Sequence, residues 1–239
     1  MPIEFLIFLT VFTPALVGGL NLIFNKNPNV RDTVTLLGAL ITFYFSANIF
    51  LGFDGQATQY KLATIMPGID ISFHIEPLGI VFSLLASGLW ILTHIYAIGY
   101  MRGAKEKNHS RFFFFFSVSI ASVMGISFSG NLFTLFLFYE ILTLITFPLV
   151  SHKGSNEALR GARVYLSILL GTSIGLQLLG IIWIYFSIGT LDFVKGGILN
   201  GSFGSLELTL LVALFAFGIG KAALFPFHRW LPAAMVAPT

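Results

Sequence analysis

Seven long apolar runs constrain this 239-residue chain more than any other feature. They are Ile3–Phe24, Val34–Phe53, Leu78–Met101, Phe112–Phe128, Leu132–Val150, Val164–Ile188 and Leu206–Phe225. Each is near the roughly 20 residues that a helix needs to cross a bilayer. With no water in the hydrocarbon, a crossing backbone must satisfy its own hydrogen bonds, as a helix does. The runs predict an all-α integral membrane protein of about seven transmembrane helices. Composition agrees: 56% of residues are hydrophobic and 10% charged, against about 25% charged in soluble domains. The 27 phenylalanines suit lipid-facing and interhelical packing. The first run lacks a basic flank and is long for a signal peptide, so it reads as a retained span. The fourth is short and can extend across Ser110 and Arg111 if the arginine snorkels.

The loop charges predict an orientation. Lys26 and Arg31 follow the first run; Arg102, Lys105, Lys107 and Arg111 follow the third; Lys153, Arg160 and Arg163 follow the fifth. The alternate loops hold Lys61 and Lys195 with the acids Asp54, Asp70, Glu76, Asp192 and Glu207. Positive loops stay inside, so the N-terminus is expected outside, in a bacterial inner membrane. The net charge of +3 is scattered and forms no basic stripe, which argues against nucleic acid. With no cysteine, disulfides and thiolate-bound metals are excluded. The outer segment 54–76 contains Ile69-Asp70-Ile71-Ser72-Phe73-His74-Ile75, whose alternation predicts a short β-hairpin. Pro67-Gly68 marks its turn.

Two ionisable residues lie deep within runs: Glu140 and Lys221. A charge at bilayer depth costs about 2.5–3.5 kcal/mol on insertion scales, so such groups usually face a bundle interior or wet cavity. Around Lys221, the small residues Gly218, Gly220, Ala222 and Ala223 admit close neighbours or water. Pro226 removes a helical hydrogen bond and predicts a seventh helix broken near that residue, with Lys221 one turn before the break. Glu140 has Thr143 as its nearest polar neighbour in the helix. Burial disfavours either charge and proximity favours both, so a proton can switch the pair between joined and separate states. His228 is a candidate relay beside the break. His94 is a candidate carrier, with a packing role as the competing reading. Arg160 and Arg163 are candidates for tuning Glu140 across the fifth-to-sixth loop; anchoring explains them equally. His109 and His152 read as solvated loop residues, and Phe112–Phe116 as lipid packing.

The stretch Phe225-Pro226-Phe227-His228-Arg229-Trp230-Leu231-Pro232-Ala233-Ala234-Met235-Val236-Ala237-Pro238-Thr239 resembles the signature of the antiporter-like subunits. These occur in respiratory complex I, membrane-bound hydrogenases and Mrp-type cation/proton antiporters. Asn131 through Glu140 resembles the family's fifth helix, and Lys221 matches the lysine of its broken seventh. His94-Ile95-Tyr96-Ala97-Ile98-Gly99-Tyr100-Met101 resembles the end of its third helix, and Asp70–Val81 its N-terminal region. The resemblance leans towards the D-type member of the Mrp antiporters. It implies that Glu140 and Lys221 form the input of a proton half-channel.

It also implies an N-terminal region, 1–110, and a first, incomplete translocating repeat, 111–239, with Thr239 falling inside the motif. A fragment, a split gene product and a subunit completed by another chain all remain open. Expected partners are the lipid bilayer, other membrane subunits of a hetero-oligomeric complex, H+ and in some members Na+. No cofactor or metal is expected in this chain, and any redox chemistry of a NADH:quinone oxidoreductase or hydrogenase would belong to partner subunits. The competing classes are a structural subunit whose buried charges fix helix packing and a polytopic membrane enzyme. Phosphate-loop and metalloprotease patterns are missing from the sequence.

Overall fold

The apolar runs become helices in the computed structural model, which describes residues 2–55, 59–199 and 201–237. In chain order they are α1 (Ile3–Ile23), α2 (Pro28–Gly52), strands β1 (Gln59–Met66) and β2 (Ile69–His74), α3 (Pro77–Gly103), α4 (His109–Ser127) and α5 (Leu132–Val150). There follow α6 (Asn156–Thr172), a π-helical turn (Ser173–Gln177), α7 (Leu178–Ile188), α8 (Ser205–Gly218) and α9 (Trp230–Ala234). Six helical stretches among the described residues are long and apolar enough to span a membrane; the sixth runs unbroken from Asn156 to Ile188. Local chemistry sets the starts. Pro28 and Pro77 occupy first-turn positions, where a missing N–H costs nothing. Asn131 and Ser155 cap α5 and α6 by accepting hydrogen bonds from the N–H groups of Thr134 and Ala158.

The chain divides into two units. The first holds α1–α4 and the segment Phe73–Ser129. In it α1 packs on α2 and α4, and α3 packs on α2 and α4. Gly38 seats against Val17, and a Cβ at Gly18 would lie 3.1 Å from Val118, so small residues let these helices approach. The second unit holds Lys61–Ser72 and the chain from Gly130 onward. Here α6 packs between α5 and α9, and the π turn lies on α8. Leu16, Leu51, Leu78 and Phe186 point outward from their helices; apolar faces of this kind call for lipid or a protein neighbour.

The hairpin forms as the alternation predicts, with Gly68 in the left-handed region at φ +78°. Residues 56–58 of the expected 54–76 segment lie outside the described residues, as do Pro238 and Thr239. The strand is tied to the start of α5. Asn131 Nδ2 donates to the Asp70 carbonyl at 2.7 Å and to Ser72 Oγ at 2.9 Å, while the Ser72 N–H donates to Thr134 Oγ1 at 3.0 Å. The hairpin thus fixes the entry of the helix that carries Glu140. Lys61 Nζ lies 2.5 Å from Asp70 Oδ2. With the Thr64 hydroxyl, it holds the Asp70 carboxyl below its ordinary value. A lowered folded-state value adds stability above the unfolded value, near 3.9, and loses it as pH falls through the folded one. Hydrogen exchange of the hairpin amides, corrected for intrinsic rates, is therefore expected to accelerate only below about pH 4. Lys61→Ala should speed exchange above pH 4 and flatten this acid dependence, because the folded value then approaches the unfolded one.

Several expectations change. The seventh helix, α8, is a short apolar one and ends at Gly218. The break therefore begins at Ile219, ahead of Pro226, and Lys221 lies within it, in the 3-10 turn Gly220–Ala222. The close seating of Gly218 and Gly220 on the neighbouring helix accounts for the early stop. Arg160 and Arg163 are helical, not in a loop, because Ser155 starts α6 ahead of them. The fourth helix does extend across Ser110 and Arg111. Phe113 faces inward rather than to lipid, and His152 is buried rather than solvated.

Candidate functional site

The second unit brings Lys221 onto α5 at Tyr139, the residue before Glu140. At the break, α-helical bonding stops at Gly218, and Ala223 adopts a left-handed conformation at φ +53°. The freed backbone finds side-chain partners: the Lys221 N–H donates to Tyr139 Oη at 3.2 Å, and Trp230 Nε1 donates to the Gly220 carbonyl at 2.8 Å. Such repair is what allows irregular backbone at membrane depth. Lys221 Nζ then reaches α5. It donates to the Tyr139 carbonyl at 3.4 Å and to Thr143 Oγ1, and sits 3.6 Å from the Tyr139 ring centroid. A cation over an aromatic face is held by the ring quadrupole. Lys221 is thus an anchored ammonium, with Tyr139 and Thr143 both buried beneath it.

Glu140 is the next residue along α5. It is close enough to Lys221 for the charges to act on one another. They nevertheless form no direct ion pair among the described residues. Its carboxylate faces Ser173, at the start of the π turn, and its Oε1 is buried with no hydrogen-bond partner among the described residues. The wall behind the site is close-packed. Gly220 abuts Thr172, and a Cβ at Gly218 would lie 2.6 Å from the backbone nitrogen of Gln177. Tyr165 Oη shares a 2.6 Å hydrogen bond with Thr146 and packs edge-on to Trp230 at 5.6 Å.

The other sequence candidates fall elsewhere. Pro226 and His228 lie beyond the lysine turn, both exposed, with the His228 ring stacked on Phe225 at 5.7 Å. Arg160 and Arg163 are exposed on the first turns of α6, and neither pairs with Glu140 among the described residues. His94 belongs to the first unit. Its Nε2 lies 3.0 Å from the Asp32 carbonyl, its ring is edge-on to Phe113, and its Nδ1 is buried without a partner among the described residues. It adjoins an ion network that loop-charge counting does not reveal. Arg31 Nη2 lies 2.7 Å from Asp32 Oδ1, and Arg102 Nη2 2.5 Å from Asp32 Oδ2. Sequence reasoning also passes over Tyr139, Ser173 and Gln177. The run Gly171-Thr172-Ser173, polar within an apolar span, is the available signal for the last two.

Residues 129–239 match the family model described as NADH:quinone oxidoreductase/Mrp antiporter, TM. Residues 66–113 match that of NADH-Ubiquinone oxidoreductase (complex I), chain 5 N-terminus. The chain is 30% identical over 250 residues to NAD(P)H-quinone oxidoreductase subunit 5, chloroplastic, of Ipomoea purpurea, covering 97% of this chain and 35% of that protein. It is 33% identical over 189 residues to Na(+)/H(+) antiporter subunit A1 of Staphylococcus aureus (strain JH9), covering 76% and 23%. These relatives carry the names subunit 5 and subunit A1, not the D-type towards which the motifs alone lean. The chain spans about a quarter to a third of their lengths. Among solved structures, a chain of the membrane-bound sulfane sulfur reductase, an archaeal respiratory membrane complex, superposes with a TM-score of 0.82 at 22% identity. That match covers 99% of this chain and 48% of the other, and it shows the fold.

Proposed function

Since the chain belongs to the antiporter-like subunit family of NADH:quinone oxidoreductases and Mrp antiporters, we propose that it carries protons into the membrane through its second unit, with Glu140 and Lys221 as the exchanging groups. One observation carries the reading: an anchored lysine in a broken helix stands near a carboxylate that it does not pair with and whose Oε1 is buried without a partner among the described residues. A direct ion pair would hold both charges in place. Separate groups at bilayer depth can instead pass a proton and change how strongly they attract. Tyr139 and Thr143 hold the ammonium, and Ser173 orients the carboxylate.

Membrane subunits of a larger assembly are the natural partners, because both named relatives are subunits. Na+ is the cation that one relative's name supplies for exchange. We place the N-terminus outside and the chain in a bacterial inner membrane, on the loop charges. We also read 111–239 as the translocating repeat, with His228 as a candidate relay, Pro226 at the helix break, His94 as a candidate carrier in the first unit, and Arg160 and Arg163 as candidates for tuning Glu140. A structural role for the two charges is the competing account.

Proton flux into liposomes containing the assembled complex separates the two. Glu140→Gln keeps the side-chain shape and removes the exchangeable proton. Flux should fall by roughly a hundredfold, the lower end of the usual contribution of a positioned acid or base, with subunit content unchanged. Full flux in that variant would favour the structural account. Repeating the assay with Na+ and with K+ on the opposite side shows which cation, if either, is exchanged.

A further inference from the structure

The π turn leaves a second buried oxygen unaccounted for. Gln177 is 2% exposed, and its Oε1 has no hydrogen-bond partner among the described residues. Glu140 Oε1 is in the same condition. Unpaired oxygens are rare in protein interiors, and polar pockets that hold them usually contain ordered water. The two are joined by local structure. Ser173, facing Glu140, opens the π turn that Gln177 closes. The same turn meets the break: Gln177 is seated on Gly218, the last residue of α8, and Thr172 on Gly220. The π turn therefore meets the carboxylate through Ser173 and packs its Gln177 backbone on the broken helix, with the unpaired Gln177 oxygen one turn from Ser173. Single π turns inside α-helices frequently occur at functional sites.

We propose that Gln177 is a positioning residue of the proton path: its amide oxygen and Glu140 Oε1 are the acceptors of a buried hydration site between the π turn and the broken helix. Water there donates to both oxygens and gives Glu140 a route past Ser173 to the backbone opened at Ile219. Only the role of Gln177 in flux rests on the functional reading above; the hydration site does not.

Two measurements test it. A cryo-electron microscopy map of the assembled complex, fine enough to resolve water, should show density within hydrogen-bonding distance of Gln177 Oε1. A dry, filled pocket there would overturn the proposal whatever the protein transports. In the liposome assay, Gln177→Leu removes the acceptor at similar volume, while Gln177→Glu keeps one. Gln177→Leu should lower proton flux about tenfold and shift its pH profile, and Gln177→Glu should restore most of the rate. Unchanged flux in Gln177→Leu, or equal loss in both variants with an unshifted profile, would overturn the role in the path. The functional reading fails separately, through full flux in Glu140→Gln.

Discussion

Lys221→Ala is expected to stop proton movement through the assembled complex, a loss of about a hundredfold or more, while the complex still assembles. The expectation follows from where the ammonium is held. Its nitrogen bonds to the Tyr139 carbonyl and Thr143 Oγ1 and lies over the Tyr139 ring, so it is fixed at one place on α5. Its backbone N–H separately anchors the break to Tyr139 Oη. Alanine removes the charged side chain with its bonds to α5 but keeps that backbone bond, so the fold of the break should survive. Lys221→Arg sharpens the argument. A guanidinium keeps the charge but does not release its proton in proteins. If the lysine must lose and regain a proton, arginine is as inactive as alanine. If only a fixed positive charge is needed, arginine restores flux. Flux in proteoliposomes, read beside subunit content, decides between them.

The largest expected effect on stability lies in the first unit. Asp32→Ala should cost roughly 3–5 kcal/mol, the usual penalty for removing one partner of a buried ion pair. Asp32 is 4% exposed and Arg31 3%. The carboxylate accepts from Arg31 Nε at 2.9 Å and Nη2 at 2.7 Å through one oxygen, and from Arg102 through the other. Without it, Arg31 keeps, among the described residues, the Ser110 hydroxyl at 3.3 Å and the Phe113 ring face, with its guanidinium carbon 5.1 Å from the centroid. Neither neutralises a buried guanidinium. Replacing both residues, as Arg31→Met with Asp32→Ala, removes the stranded charge and should recover part of the loss. Thermal unfolding of the purified complex in detergent measures both. Equal melting of Asp32→Ala and the unaltered protein would show that solvent reaches this cluster.

Much of the fold is legible in the sequence, because hydrocarbon imposes a simple rule on length. The long runs become α1–α5 and the continuous Asn156–Ile188 helix, and the alternation at Ile69–Ile75 becomes β2. Glu140 and Lys221 stand out because ionisable groups are costly there. The early break is harder to see. Pro226 is the conspicuous breaker, yet Gly218 and Gly220 decide the position by seating against Gln177 and Thr172, and that is tertiary packing. The start of α6 has a local signal, a serine cap at Ser155 followed by Glu157. An apolar-run search skips a first turn that is polar. Asp32 is hidden for a similar reason: it stands at a loop end in the sequence, and its burial shows only once α3 and α4 bring up Arg102 and Ser110.

The central claim is that Glu140 and Lys221 serve one path, and a double-substitution cycle tests it most directly. Proton flux would be measured in liposomes with Glu140→Gln, Lys221→Ala and both together, each in an intact complex. One path cut twice is no more blocked than one path cut once, so the double variant should match the slower single variant. Undiminished flux in either single variant, with assembly preserved, would contradict the account.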